Sequence, residues 1–397
     1  MVWPDVSGRL STRAESSLDA PPIVRTDPLV PAPSAEDASS VWGKRRDMLV
    51  HEREPYNAEP TGAALGASHV TPTDVFYSRN HGAVPTVDLA TWRLTVRGLV
   101  WTPLELRLGH LKHDFEQCTL AVTLQCAGNR RAGLAALREI PGEAPWGSCA
   151  TGTAEWTGVR LADVLRMAGV DDEAEHVEFT APDRAELAHP PQPYASSIPV
   201  GKALSDEVLL AWQMNGQELP PIHGGPVRVV VPGYIGARSV KWVERVTVRR
   251  EPSESYFQAT AYRLLPADGE PGPGRGSSLS SVALNSSILS PSDGAIVQAG
   301  VVEVSGYAYA GDDRGITRVD VSVDRGRTWV QAELDDQSSP WTWRLWRTRL
   351  LLDEGEVRIT VRAWDTTAAT QPESVEQVWN PKGYVNNAWG HVRVHVR

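Results

Sequence analysis

The segment Leu124-Gln125-Cys126-Ala127-Gly128-Asn129-Arg130-Arg131 sets a thiol at the end of an alternating apolar run, with a glycine and two arginines directly behind it. Guanidinium charge lowers the pKa of a neighbouring thiol, and a thiolate is either a nucleophile or a ligand for a soft metal. A lone cysteine after a strand is in most proteins a small buried hydrophobe, but such a cysteine has no use for two arginines at its strand end. Cys118, an even number of residues earlier on the same face, and Cys149, in the loop Gly147-Ser148-Cys149-Ala150, read as structural. Three cysteines without Cys-x-x-Cys spacing make neither a disulfide framework nor a structural zinc site.

Two further segments gather cations in turns. From His223 to Lys241 the chain reads HGGPVRVVVPGYIGARSVK. Arg228 interrupts a buried-strand run that would not tolerate it unpaired. Pro232-Gly233 and Gly236 then open a turn that ends in Arg238, Ser239, Val240 and Lys241. Backbone N–H groups in such a turn, with three cations, form a phosphate cradle. Tyr77-Ser78-Arg79-Asn80-His81-Gly82 again places arginine and histidine in a turn. Three such clusters, one with a cysteine, point to a large anionic cofactor with a soft metal. His81 or His223 could serve as the base of a Cys/His protease, but neither lies in a protease's local signature. Asp171-Asp172-Glu173 reads as solvated surface.

These turns need strands to hold them. Trp92 to Val96 and Cys118 to Leu124 alternate like strands. Gly158 to Gly169 carries Leu161, Val164, Leu165 and Ala168 at helical spacing and ends on a glycine. The region is α+β, mixed and strand-rich, without βαβ alternation. Pro266 to Ser278 (PADGEPGPGRGSS) is dense in breakers and reads as a linker that neither continues a helix nor pairs in a sheet. Beyond it, Val302 to Tyr307, Val319 to Val323 and Val357 to Ala363 alternate, and Asp324-Arg325-Gly326-Arg327 supplies a hairpin turn. This part is expected to be a β-sandwich, immunoglobulin-like in size. The expected division is a flexible N-terminal arm over 1–50, a cofactor-binding catalytic domain over 51–265, a linker over 266–281 and the sandwich over 282–397.

With 397 residues, 41% of them hydrophobic and 22% charged, the chain has ample length for a core. A formal charge of −10 argues against general nucleic-acid binding. No apolar run approaches the roughly 18 residues that span a bilayer, so no membrane partner is expected. All but five of the 39 basic residues are arginine, the exceptions being Lys44, Lys112, Lys202, Lys241 and Lys382. The first residues carry no apolar leader or twin arginine and the last three are no peroxisomal signal, so a cytoplasmic location is the default expectation, and a periplasmic one if the start is misannotated.

PYNAEP (Pro55–Pro60), VTPTDVFYSRNHG (Val70–Gly82), TLQCAGNRR (Thr123–Arg131), EVLLAWQMNGQELP (Glu207–Pro220) and GPVRVVVPGYIGARSVKW (Gly225–Trp242) are long and specific motifs. Through them the chain resembles the sulfite oxidase family of molybdenum enzymes, from about Glu54 to its end. The sandwich, ending in VWNPKGYVNNAW (Val378–Trp389), resembles that family's dimerisation domain and implies a homodimer. The resemblance makes Cys126 the protein thiolate on molybdenum, beside the dithiolene of one pyranopterin. Tyr77, Ser78, Arg79, Asn80 and His81, with Asp183, His223, Arg228, Ser239, Val240 and Lys241, would hold the pterin and its phosphate. Arg79, Arg131, Trp146, Tyr262 and Lys382 fall where the family lines its substrate pocket, Trp146 only with a one-residue insertion. The family usually has arginine where this chain has Lys382, which keeps the charge but loses the bidentate fork. Weaker or altered sulfite binding is expected from that change.

The implied reaction takes sulfite, or a related small oxyanion, to sulfate. The sequence shows no haem-binding HPGG segment and no flavin or nicotinamide domain, so no haem is expected in this chain. Electrons would pass to oxygen or to an external c-type cytochrome. The rival readings are nitrate or S-oxide reduction on the same scaffold, and a non-catalytic anion-binding protein, for which Cys126 would be dispensable.

Overall fold

The computed structural model describes residues 41–397. The expected arm over 1–50 therefore lies largely outside the described residues, and its last ten positions differ from that expectation. Leu49–Glu52 pairs antiparallel with Asn57–Glu59, and Lys44 and Met48 are buried.

Two five-stranded sheets frame the first part. One runs in the order Gln217–Glu218, Leu209–Met214, Thr151–Arg160, Gln117–Gln125, with Arg228–Val230 also paired to Leu209–Met214. The expected strand from Cys118 is thus the edge of a long antiparallel ladder. Where Thr151–Arg160 passes Leu209–Met214 the register shifts at Gly158, whose absent Cβ would lie 2.1 Å from the Leu210 carbonyl oxygen. The second sheet runs Leu104–Leu106, Leu94–Gly98, Arg245–Arg249, His176–Ala185, Gln192–Pro199, antiparallel except for its pairing of Leu94–Gly98 with Arg245–Arg249.

The helix expected between Gly158 and Gly169 spans Leu161–Ala168. Leu161, Ala162, Val164, Leu165 and Ala168 are all fully buried, and Gly169 closes it at φ 68°. Burial of each large apolar chain contributes about 1.5–3 kcal/mol, so packing rather than propensity holds so short a helix.

The linker closes on itself. Ser277–Ser278 pairs with Arg263–Leu264, and the Arg263 guanidinium donates to the carbonyls of Gly274 (3.1 Å) and Gly276 (2.6 Å). The expectation that this segment cannot pair in a sheet is thus corrected at its last two residues, where the Pro and Gly density has ended.

Asn285–Ser290, Gly300–Tyr309, Arg344–Leu352 and Glu333–Leu334 form one sheet of the sandwich. Ala295–Val297, Gly390–Val396, Gly355–Asp365, Ile316–Ser322 and Val330–Gln331 form the other. Inward-facing Val304, Val319, Val321, Ile359, Val361 and Val394 make its core, as alternation predicts. The sandwich is sewn to the first part. Thr123 N donates to the Trp341 carbonyl (2.8 Å), and Trp343 N donates to Thr123 Oγ1 (2.7 Å). The Tyr307 phenol accepts from Asn129 Nδ2 (2.7 Å) and donates to the Ser148 carbonyl (2.9 Å). No helix among the described residues is long and apolar enough to cross a membrane.

Candidate active site around Cys126

Gln117–Gln125 delivers Cys126 to a loop held by backbone bonds. Cys126 N donates to the Ala150 carbonyl (2.9 Å), and Asn129 N to the Cys126 carbonyl (3.0 Å). Gly128 N donates to the sulfur itself (3.4 Å). The glycine here serves clearance: a Cβ at Gly128 would sit 2.6–2.8 Å from the Arg131 guanidinium. The left-handed residue of the turn is Arg130 (φ 66°), whose guanidinium donates to the carbonyls of Ala388 (2.8 Å) and Trp389 (3.1 Å). Of the two expected arginines, therefore, Arg130 ties down the C-terminal segment and Arg131 faces the thiol. The expectation of a lowered thiol pKa is reversed: burial pushes the Cys126 thiol up, and Arg131 and Arg79 recover only part of that shift.

Beside the thiol lies a narrow cavity walled by polar and cationic side chains. Tyr77, Ser78, Arg79, Asn80, His81, Asp183, His223, Arg228, Ser239, Val240 and Lys241 all line it, with Cys126 and Tyr262. The wall is cross-braced. Lys241 Nζ donates to the Arg79 carbonyl (3.0 Å) and to Asn80 Oδ1, while Asn80 Nδ2 donates to the Tyr56 carbonyl (2.6 Å). The buried Arg228 finds no carboxylate; it donates to the carbonyls of His223 and Ser239, both at 2.9 Å. Arg238, the third cation expected in the cradle, points away, to Ser196 Oγ, Gln258 Oε1 and the Leu279 carbonyl. It braces the fold and does not line the cavity.

Charge in this cavity is unbalanced. Burial, then Arg228 beside it, depresses the Lys241 pKa far below the usual lysine range, with Asp183 opposing. Burial brings Arg228 down to about 10. Burial, Lys44 and Arg228 keep His223 neutral, and burial, Arg79 and Lys241 do the same for His81. Asp183, its carboxyl raised by burial, is the one acid on the wall. Ser78 Oγ and Asp183 Oδ1 are buried without a hydrogen-bond partner. Cations that repel one another, two orphaned polar atoms and a thiol fit an anionic, hydrogen-bonding cofactor that carries a soft metal. Among the described residues no cluster of three His, Cys, Asp or Glu could hold a metal alone.

Arg79, His81, Cys126 and Tyr262 also line a second, open space, with Arg131, Lys382, Glu143 and Tyr384. Tyr262 follows the π-helical turn Phe257–Ala261, stacks on Tyr384 with centroids 5.4 Å apart, and bonds His81 Nε2 through its phenol (2.7 Å). Four of the five expected substrate residues, Arg79, Arg131, Tyr262 and Lys382, meet here. Trp146 lines neither space. It is fully buried against the His51 ring, and its indole N–H has no partner.

Three acids and bases were missed. Glu143 bridges Arg131 Nη2 (3.2 Å) and the Lys382 ammonium. Glu59, 1% exposed, accepts from Gly147 N (2.5 Å) and Cys149 N (2.9 Å). Lys44 Nζ donates to the carbonyls of Thr73 (2.6 Å) and Phe76 (2.7 Å). Glu143 stands in a Pro/Gly loop with no periodicity to flag it. Lys44 carried one signal, a lysine in a chain that otherwise uses arginine.

Residues 81–257 match the oxidoreductase molybdopterin binding domain, and 277–397 match the Mo-co oxidoreductase dimerisation domain. The chain is 40% identical to the sulfite oxidase of Gallus gallus, over 90% of this chain and 81% of the relative. It is 38% identical to the sulfite oxidase of Arabidopsis thaliana, over 87% of this chain and 93% of the relative. Among solved structures, the sulfane dehydrogenase SoxCD from Paracoccus pantotrophus superposes with a TM-score of 0.74 at 27% identity, covering 87% of this chain and 88% of that one. The chain therefore belongs to the sulfite oxidase family of molybdopterin oxidoreductases.

Proposed function

We propose that the protein oxidises sulfite to sulfate, with Cys126 as the protein ligand to a molybdenum–pyranopterin held by the turn Tyr77 to His81 and by Asp183, His223, Arg228, Ser239, Val240 and Lys241. The observation that carries this reading is the sharing of Arg79, His81, Cys126 and Tyr262 by the inner cavity and the open space. An anionic substrate entering from outside meets these side chains where the cofactor would end. When bound, the molybdenum group supplies the two-electron oxygen-atom chemistry.

The chain supplies position and charge. Arg79 donates from Nη1 to the Asn80 carbonyl and makes no ion pair among the described residues, so the rest of its guanidinium can draw in and orient an oxyanion. Burial holds the Tyr262 phenol protonated, so it can donate to an oxyanion oxygen. Its bond to the neutral His81 ring fixes that phenol: with Nε2 protonated the ring donates to the phenol oxygen and leaves the phenol proton for the oxyanion. Arg131 and Lys382 complete the cationic wall.

Electrons then leave for an external acceptor, a c-type cytochrome or oxygen, with no haem in this chain. Residues 277–397 form the contact of a homodimer. Purified protein assayed for sulfite-dependent ferricyanide reduction, with molybdenum measured on the same sample, tests the reading. One metal per chain with turnover is expected; absence of metal from a cofactor-competent host overturns it. A visible spectrum without a haem band checks the acceptor assignment, and light scattering checks the dimer.

A further inference from the structure

Arg131 has no nitrogen to spare. Its Nε donates to the Lys382 carbonyl (3.1 Å), Nη1 to the Ala144 carbonyl (2.9 Å), and Nη2 faces Glu143 Oε2 at 3.2 Å. Its stem is clamped as well, since a Cβ on Gly383 would fall 2.6 Å from Arg131 Cγ. The other oxygen of Glu143 holds the Lys382 ammonium. Two of the four cations that line the open space are thus tied to one carboxylate of the chain itself, whereas Arg53 and Arg79 have no carboxylate partner among the described residues. An oxyanion bound between Arg131 and Lys382 would take the place of that carboxylate or lie against it as a like charge. Glu143 itself lines the open space, so its side chain has room to withdraw from the two cations.

We propose that Glu143 is an internal competitor for the substrate anion: its carboxylate occupies the Arg131–Lys382 pair, yields to the entering oxyanion, and returns to displace the product. The proposal rests on the reading of this space as the oxyanion entry. Its consequence is that the pocket binds sulfite and sulfate more weakly than its cations imply, and so releases a doubly charged product. The alternative role, a brace that holds the two cations ready for substrate, predicts the opposite sign when the carboxylate is removed.

Sulfate titrated calorimetrically into oxidised holoenzyme reads the difference without turnover. For Glu143→Gln the sulfate Kd falls by about tenfold and the KM for sulfite falls in parallel, as expected for loss of one close like charge. Glu143→Asp, whose shorter arm cannot reach both cations, gives a Kd between the two. An unchanged or raised Kd in Glu143→Gln overturns the proposal in favour of the brace. If Glu143→Gln does not fold, Glu143→Asp decides alone: a Kd at or above that of the unaltered protein overturns it. Tighter sulfate binding with no sulfite turnover in any form would keep the competitor role and sink the sulfite reading. Sulfite turnover with no tightening would do the reverse.

Discussion

Lys44 Nζ lies 2.6 Å from His223 Nε2, so a residue near the start of the described chain braces the wall of the cofactor cavity across 179 positions of sequence. Burial brings Lys44 down to about 7, with Asp74 opposing. The unfolded chain binds this proton more tightly than the folded one, at about 10.4 in water. Folding stability therefore rises with pH above about 7, and the full penalty for burying the charge is present below it. Lys44→Met removes that titration along with the bonds to Thr73, Phe76 and His223. The stability gap between the two proteins, read from urea midpoints, is expected to widen by about 2–3 kcal/mol between pH 7 and pH 9. A constant gap would show that Lys44 does not titrate in this window.

Tyr262→Phe keeps the ring stacked on Tyr384 and removes only the hydroxyl that bonds His81. A proton donor at the reacting end contributes through kcat, so kcat should fall by about 10²-fold with a smaller change in KM. Steady-state kinetics on protein of matched molybdenum content checks this. A pure KM effect would move the phenol from proton transfer to substrate binding.

Glu59→Gln replaces one of two oxygens that accept from Gly147 N, Cys149 N and His51 Nε2. An amide cannot accept with both atoms, so one buried donor is left facing another. The expected loss is about 1–3 kcal/mol, visible as a lower urea midpoint. Because Cys126 N donates to the Ala150 carbonyl of the same loop, molybdenum occupancy should fall with it.

How much of this could be read from the chain depends on whether the side chain obeys a local pattern. The strand to Gln125 and the helix Leu161–Ala168 follow from alternation and from helical spacing, because each has one face in the core. The eleven residues named for the cofactor all line the cavity; nine sit in turns beside strand ends, while Asp183 and Arg228 belong to strands. Arg238 shares that turn and turns outward; only tertiary packing separates it from Lys241. Trp146 packs wholly into the core, a placement that only the folded chain shows. Glu143 leaves no local trace and Lys44 only its rarity as a lysine, and the rise in the Cys126 pKa follows from burial that only the folded chain has.

Cys126→Ser should abolish sulfite turnover while leaving the bracing bonds of the cavity wall untouched. The pterin extracted from the purified variant is expected to stay near that of the unaltered protein. Loss of pterin together with activity would mean that the sulfur anchors the whole cofactor, and not its metal alone.

The segment after Asn380 makes the sandwich a co-author of the active site. Val385 N donates to the Ala127 carbonyl next to the thiol, and Lys382 and Tyr384 form part of the pocket wall. Grafting a C-terminal module from one relative onto the catalytic half of another, cut anywhere in the linker, would therefore transplant a share of the substrate's surroundings as well. Chimaeras across this boundary would inherit their anion preference from both parents, and the line along which the chain can be recombined cleanly is not the line that divides its sheets.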